Sequence, residues 1–273
     1  MAKLYDPDLN GQLHLRDSLV LFVDLLGTKA QSAKSAADQE KHLNDLNSAL
    51  DAALKRSFSD DDVDDWFHAI AFTDNIALGC PIQPGSDGEN ELSVVLNAAT
   101  FFQWGMVERG LFFRGGLALG KASFSNRFAF GPALVEAYKL ESTKAKWGRI
   151  LISPGLRPMI KNQMLNYRKG GLGPPHTESI YIADDAMFLN YLDLLAADGE
   201  EHLGLPRHRD VLLNALRHFR RNQKIREKYL WATAYHNYFC RQHGMDEYRI
   251  SGWSGTEKYE DAFRQLQIRR PAP

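Results

Sequence analysis

The sequence is poor in cysteine, with only Cys80 and Cys240 in 273 residues. Two thiols cannot build a disulfide framework, and they fit a reducing cytosol. Net charge is also lacking. A formal value of -1 gives no general attraction to nucleic acid or anionic lipid. No long hydrophobic run is present either. The most apolar segment, Ser18 to Gly27, is short and carries Asp24 in its middle, whereas a membrane helix needs about 20 apolar residues. Met1 to Arg16 is polar, unlike a signal peptide. The expectation is a cytoplasmic protein with neither a membrane nor a nucleic-acid partner.

What is present is ordinary globular composition, 44% hydrophobic and 25% charged, enough for a buried core. Residues 18–25 (SLVLFVDL) form a compact apolar run that reads as a buried strand. Leu43, Leu46, Leu50 and Leu54 follow at helical spacing. Trp66–Phe72 and Ile76–Cys80 flank Thr73-Asp74-Asn75, which reads as a β-hairpin with Asp74 at its tip. A second amphipathic helix, from Leu92 to Met106, leads to a glycine-rich strand over Leu111–Gly120. Gly131-Pro132 opens a further helix that runs to about Ser142, and Arg149–Ser153 is another strand.

The order through residue 153 is β-α-β-β-α-β-α-β, the split pattern of ferredoxin-like palm domains in the α+β class. GGLGPP at Gly170–Pro175 is the clearest punctuation. It divides a palm over residues 1–170 from a mostly helical extension over 171–273, packed on the palm. That extension holds a short strand over Ser179–Ala183 and helices over roughly 186–196, 207–221 and 224–243.

Asp24 is the first residue that suggests chemistry. A carboxylate inside an apolar strand is costly unless it is paired or binds a metal. Asp74 is the second, because a β-α-β-β unit makes the first strand and the hairpin neighbours. Two oxygen ligands at one sheet edge suit Mg²⁺ or Mn²⁺, which also draw on substrate phosphates. Backbone N–H groups of the turn through Leu25, Leu26, Gly27 and Thr28 are placed to cradle a triphosphate. The plain alternative is a buried turn-capping Asp24 and an ordinary turn Asp74.

These segments resemble a family. FVDLLG (Phe22–Gly27) resembles the first metal motif of class III nucleotidyl cyclases, and FTDNIALG (Phe72–Gly79) their metal-bearing hairpin. FRGGLALG (Phe113–Gly120) is similar to their core strand, and FGPALVEAYKLES (Phe130–Ser142) to the helix before their last core strand, which RILIS fits. GPALVEAYKLE together with KYLWATAYHN (Lys228–Asn237) looks most like the bacterial pyrimidine cyclases of antiphage defence. The resemblance implies two Mg²⁺ or Mn²⁺ ions per site at Asp24, Leu25 and Asp74. It implies a nucleoside triphosphate substrate, a head-to-tail homodimer, and a separate effector protein activated by the cyclic product.

Departures from the pattern refine this reading. Where purine-specific members carry a Lys and an Asp that read the base, this chain has Ile70 and Phe128. Losing both polar readers favours UTP, or CTP, over a purine. The family's transition-state Asn and Arg map onto Val135 and Lys139. Lys139 supplies a point charge and no bidentate fork, and Arg114 and Lys121 are the other candidates to supply it. The expectation is thus a uridylate or cytidylate cyclase, with a purine cyclase and a non-catalytic nucleotide sensor as alternatives. The Arg-dense stretch Arg207–Lys228 reads as a solvated helix face. Tyr229, Trp231, Tyr235 and Tyr238 read as packing.

Overall fold

In the computed structural model, which describes residues 5–26, 35–57, 66–72, 75–169 and 179–266, the apolar run becomes strand β1 (Arg16–Leu25). It is buried on both faces. Leu19, Leu21, Val23 and Leu25 enter one core, and Val20 and Phe22 enter another on the opposite side, as the two-residue alternation of a strand requires. Its neighbours are β3 (Asn75–Pro81) and β4 (Phe113–Phe124), both antiparallel to it. Strand β2 (His68–Phe72) pairs with β3 as a hairpin that closes at Phe72↔Asn75.

Helix α1 (Ala36–Ser57) lies against α2 (Glu89–Glu108). Leu92, Val95, Leu96 and Phe102 of α2 fill the core under β1. In α1 the helical spacing is realised, yet Leu43 faces solvent while Leu46 packs inward. After the two-residue strand β5 (Ala129–Phe130), helix α3 (Pro132–Lys139) runs into a wider π-turn over Leu140–Lys144 and then β6 (Ile150–Ile152). That crossover makes β6 parallel to β4, as a connection of this length allows. The predicted β-α-β-β-α-β-α-β order is therefore found, and the fold class is α+β.

Gly116 explains how closely α3 sits on the sheet. A Cβ there would collide with the Ala137 carbonyl and stand 2.7 Å from Leu140 Cβ. The double glycine thus serves backbone approach, and strand pairing runs through it unbroken from Asp24↔Arg114 to Phe22↔Gly116.

The sheet continues with β7 (Ile180–Ala183), β8 (Ala186–Leu189) and β9 (Arg264–Gln265). The strand order is β2-β3-β1-β4-β6-β8-β7-β9, with β5 on β4. Residues on both sides of position 170 thus share one sheet, while the GGLGPP segment lies outside the described residues. Ala186–Leu189 departs from the expected helix. Asp184 and Asp185 adopt φ values of 53° and 58°, turning the chain back into a tight hairpin. The remaining α-helices are α4 (Arg157–Lys169), between β6 and β7, then α5 (Asp193–Asp198), α6 (Glu201–His218), α7 (Gln223–Gln242) and α8 (Glu257–Glu260). Helix α6 starts ahead of the expected position and contains Pro206, which removes one ladder hydrogen bond near the start.

A second core joins the two halves. Trp104, Val107, Phe112 and Leu151 meet Tyr181, Phe188, Trp231, Tyr235 and Phe239. Inside it runs a hydrogen-bonded chain. Tyr191 O–H donates to His208 Nε2 (2.8 Å), His208 Nδ1–H to His236 Nδ1 (2.9 Å), and His236 Nε2–H to the Tyr248 carbonyl (3.0 Å). We assign these tautomers from the network, since two neutral rings satisfy every link. His236 therefore belongs to a structural chain.

Burial lowers both histidines, His236 to about 4 and His208 well below its usual range, the latter also through repulsion from His236. The unfolded chain then binds more protons below pH 6.5, so stability falls as pH drops from about 6.5 towards 4. The cost per histidine is about 1.4 kcal/mol per pH unit. Urea midpoints should fall between pH 7 and pH 5, and His236→Gln should flatten that dependence. Midpoints that do not move across this window would contradict the assignment.

Candidate active site

Asp24 stands one residue from the end of β1. Its cross-strand partners are Asn75, at the start of β3, and Arg114, near the start of β4. Val23 and Leu25 point into the α2 core, so Asp24 projects to the α3 face beside Phe22. There Arg114 grips it, with Nη2 at 3.2 Å and Nε at 3.4 Å from Asp24 Oδ2. The same guanidinium holds Glu141 of the π-turn, Nε to Oε1 2.6 Å, and donates from Nη1 to the Ala145 carbonyl at 3.5 Å. Glu141 is only 3% exposed. A carboxylate so buried needs such a partner, because leaving it unpaired would cost several kcal/mol.

Two carboxylates against one guanidinium leave this cluster one negative charge in surplus. A half-buried lysine moderates it from far along the chain. Lys228 of α7 is lowered by burial first, then by repulsion from Arg114 and Lys224, with Asp24 opposing. The next residue, Tyr229, packs edge-on against Phe112 at 5.3 Å. The Phe112 carbonyl in turn accepts from Leu26 N–H at 2.8 Å. Helix α7 therefore reaches the end of β1. Sequence reasoning missed Lys228 as a site residue. The available signal was Lys224 and Lys228 four apart at the head of a helix otherwise crowded with aromatics.

The predicted residues divide cleanly. Asp24, Leu25, Leu26 and Arg114 share one sheet end. Gly27, Thr28 and Asp74 lie outside the described residues, although Asn75, the neighbour of Asp74, is paired with Asp24. Ile70 and Phe128 line a single cavity of about 600 Å³ with Phe22, Phe72, Asn75 and Tyr138. Lys139 and Val135 flank an adjoining groove with Phe130 and Glu136, Val135 lining both, and among the described residues no hydrogen bond or ion pair joins Lys139 to Asp24. Lys121 is not brought to the site. It pairs with Asp17 at 2.8 Å, seven register positions from Asp24, about 23 Å along the strand at 3.3 Å per residue.

Among the described residues no group of three His, Cys, Asp or Glu forms a ready-made metal cage. The donors at the sheet end are oxygens, with Asp24 the accessible carboxylate. Such a set fits a hard cation that takes its remaining ligands from phosphate or water, as Mg²⁺ commonly does. Among the described residues no helix is long and apolar enough to cross a membrane.

No protein-family model matches this chain, and no curated protein matches it. Among solved structures it is similar to the adenylyl cyclase CyaB from P. aeruginosa, at 19% identity and TM-score 0.41 over 54% of this chain and 82% of that one. It is similar to an adenylate/guanylate cyclase/hydrolase from Silicibacter pomeroyi, at 17% and 0.40 over 54% and 81%. A class III adenylyl cyclase-like ATP-binding protein from Pseudomonas aeruginosa gives 17% and 0.42 over 59% and 40%. Likeness at this level carries no information about substrate.

Proposed function

We propose that this chain is a nucleotidyl cyclase that closes a pyrimidine nucleoside triphosphate, UTP or CTP, to its 3′,5′-cyclic monophosphate with release of pyrophosphate. The observation that carries the reading is the Asp24–Arg114–Glu141 cluster at the end of a palm-like sheet, directly opposite the start of β3. Asp24, with the Leu25 backbone and Asp74, would hold the Mg²⁺ or Mn²⁺ ions. Bound there, these ions make the ribose hydroxyl more acidic and offset charge on the phosphates.

The chain's own residues do the rest. Arg114, fixed by Glu141 and the Ala145 carbonyl, faces the phosphates and stabilises charge as it develops. Lys228 adds a second cation from α7. Backbone N–H groups of Gly27 and Thr28 would cradle the triphosphate. No covalent nucleophile is required: Cys80 and Cys240 are buried, and burial pushes both thiols up, Cys240 to about 12.

The base would enter the cavity lined by Ile70 and Phe128. Its walls are mostly apolar and aromatic, with Asn75 and Arg127 the polar residues among them, which suits a small pyrimidine better than a purine edge with unmet hydrogen bonds. Phe72, Phe128, Phe130, Val135 and Tyr138 are exposed around this cavity and the adjoining α3 face, an apolar patch of the kind that seeks a partner. A second copy of the chain fits, since a head-to-tail homodimer would bring Lys139 to the Asp24 site in trans. In the cell the cyclic product would act in antiphage defence through a separate effector, within the cytoplasm.

Metal-dependent pyrophosphate release from UTP or CTP tests the reading. Nucleotide binding without release would favour a sensor, and preferential use of ATP or GTP a purine cyclase. The pocket assignment makes its own prediction. Restoring polar readers with the double variant Ile70→Lys, Phe128→Asp should shift the UTP-to-ATP ratio of kcat/KM towards ATP by roughly tenfold or more. An unchanged ratio would place the base elsewhere.

A further inference from the structure

A second concave surface lies on the far side of the π-turn. Glu141 and the Ala145 carbonyl face Arg114, whereas Leu140, Thr143 and Lys144 line a cavity of about 670 Å³. Lys146, Trp147, Arg149, Arg157, the Asp184–Asp185 hairpin tip and Tyr259 complete it. Its size is that of a small-molecule site.

The charge balance of this cavity is unusual. Lys144, Lys146 and Arg157 have no ion-pair partner among the described residues, and Arg157 Nε is a buried donor without an acceptor. Arg149 is 4% exposed, lies over the Trp231 ring at 5.2 Å, and also leaves Nε unmet. Its Nη1 donates to the Ala183 carbonyl, and Nη2 stands 3.7 Å from Asp184. Asp185, the other carboxylate, is occupied by Arg264 at 3.1 Å. Asp184 thus stands against Arg149 and Asp185 against Arg264, which leaves Lys144, Lys146 and Arg157 as three cations without a carboxylate among the described residues. A buried arginine held between rings is a fixed donor, and unmet guanidinium donors are costly to keep without an acceptor.

We propose that this cavity is a second ligand site, separate from the Asp24 site, that binds a compact phosphorylated small molecule. A phosphate dianion matches the surplus charge and offers the oxygens that the two arginines lack, in bidentate geometry with Arg. The Trp147 and Tyr259 rings, packed edge-on at 5.4 Å, line one wall of the cavity beside which the organic part would lie. The proposal does not depend on cyclase activity.

Calorimetry on the full chain in EDTA, with glucose 6-phosphate, inorganic phosphate and malonate as separate titrants, tests it. The phosphates should bind more tightly than malonate. Lys144→Ala with Lys146→Ala, at the exposed rim, should weaken phosphate binding by roughly tenfold or more, as should Arg157→Gln. Asp24→Asn should leave it unchanged. Absence of phosphate binding at millimolar concentration, equal binding by the rim variants, or equal affinity for malonate would overturn the proposal. Loss of binding in Asp24→Asn would assign the ligand to the other site.

Discussion

Asp24→Asn should lower cyclic-nucleotide formation by roughly 1,000-fold or more, about 4 kcal/mol in transition-state stabilisation, while the protein keeps its fold. The substitution preserves volume and an oxygen acceptor but removes the accessible carboxylate at the sheet end. Arg114 keeps Glu141, its closer partner at 2.6 Å, so no buried cation is stranded and the melting temperature should move little. The check is a rate measurement on purified variant beside a thermal melt. A variant that cyclises at the native rate would remove Asp24 from the chemistry. One that unfolds would show that the cluster is primarily structural.

Trp231→Ala should destabilise the chain by about 4 kcal/mol, within the range for truncating a buried tryptophan. Trp231 is 1% exposed and stacks near-parallel on Trp147 at 6.5 Å. It also meets Phe188 edge-on at 5.5 Å and carries Arg149 above its ring. Truncation opens a cavity in the core that ties α7 to β6 and β8, and it deprives a buried guanidinium of a face. The melting temperature should drop by roughly 8–15 °C. A fall of a degree or two would mean that the second core repacks without it. Because α7 also carries Lys228, lost activity in this variant must be read at a temperature where it remains folded.

Most of the palm was legible in the sequence because its signals are local. An apolar octet, two short apolar runs on either side of a polar turn and Gly131-Pro132 each encode one element, and their order encodes the topology. Asp24 was legible for the same reason, as a charge where the surrounding strand excludes charge. The misread segment, Ala186–Leu189, hinges on Asp184-Asp185 adopting positive φ, which this dipeptide signals less clearly than Asn-Gly does. Lys121 and Arg114 are both cations on one strand, and only the register separates the one beside Asp24 from the one seven positions away. Lys228 and the cation-lined cavity were hidden because each joins residues far apart in sequence. Arg149 and Trp231, for example, meet only once α7 docks.

The most direct test is to incubate the purified chain with each of the four ribonucleoside triphosphates and Mn²⁺ and to resolve the products by mass, with Asp24→Asn in parallel. Cyclic UMP or cyclic CMP that disappears in the variant is the expected result. Cyclic AMP or cyclic GMP as the main product would contradict the base assignment at Ile70 and Phe128. No cyclic product from any triphosphate, with nucleotide still bound, would contradict the catalytic role of the Asp24 site.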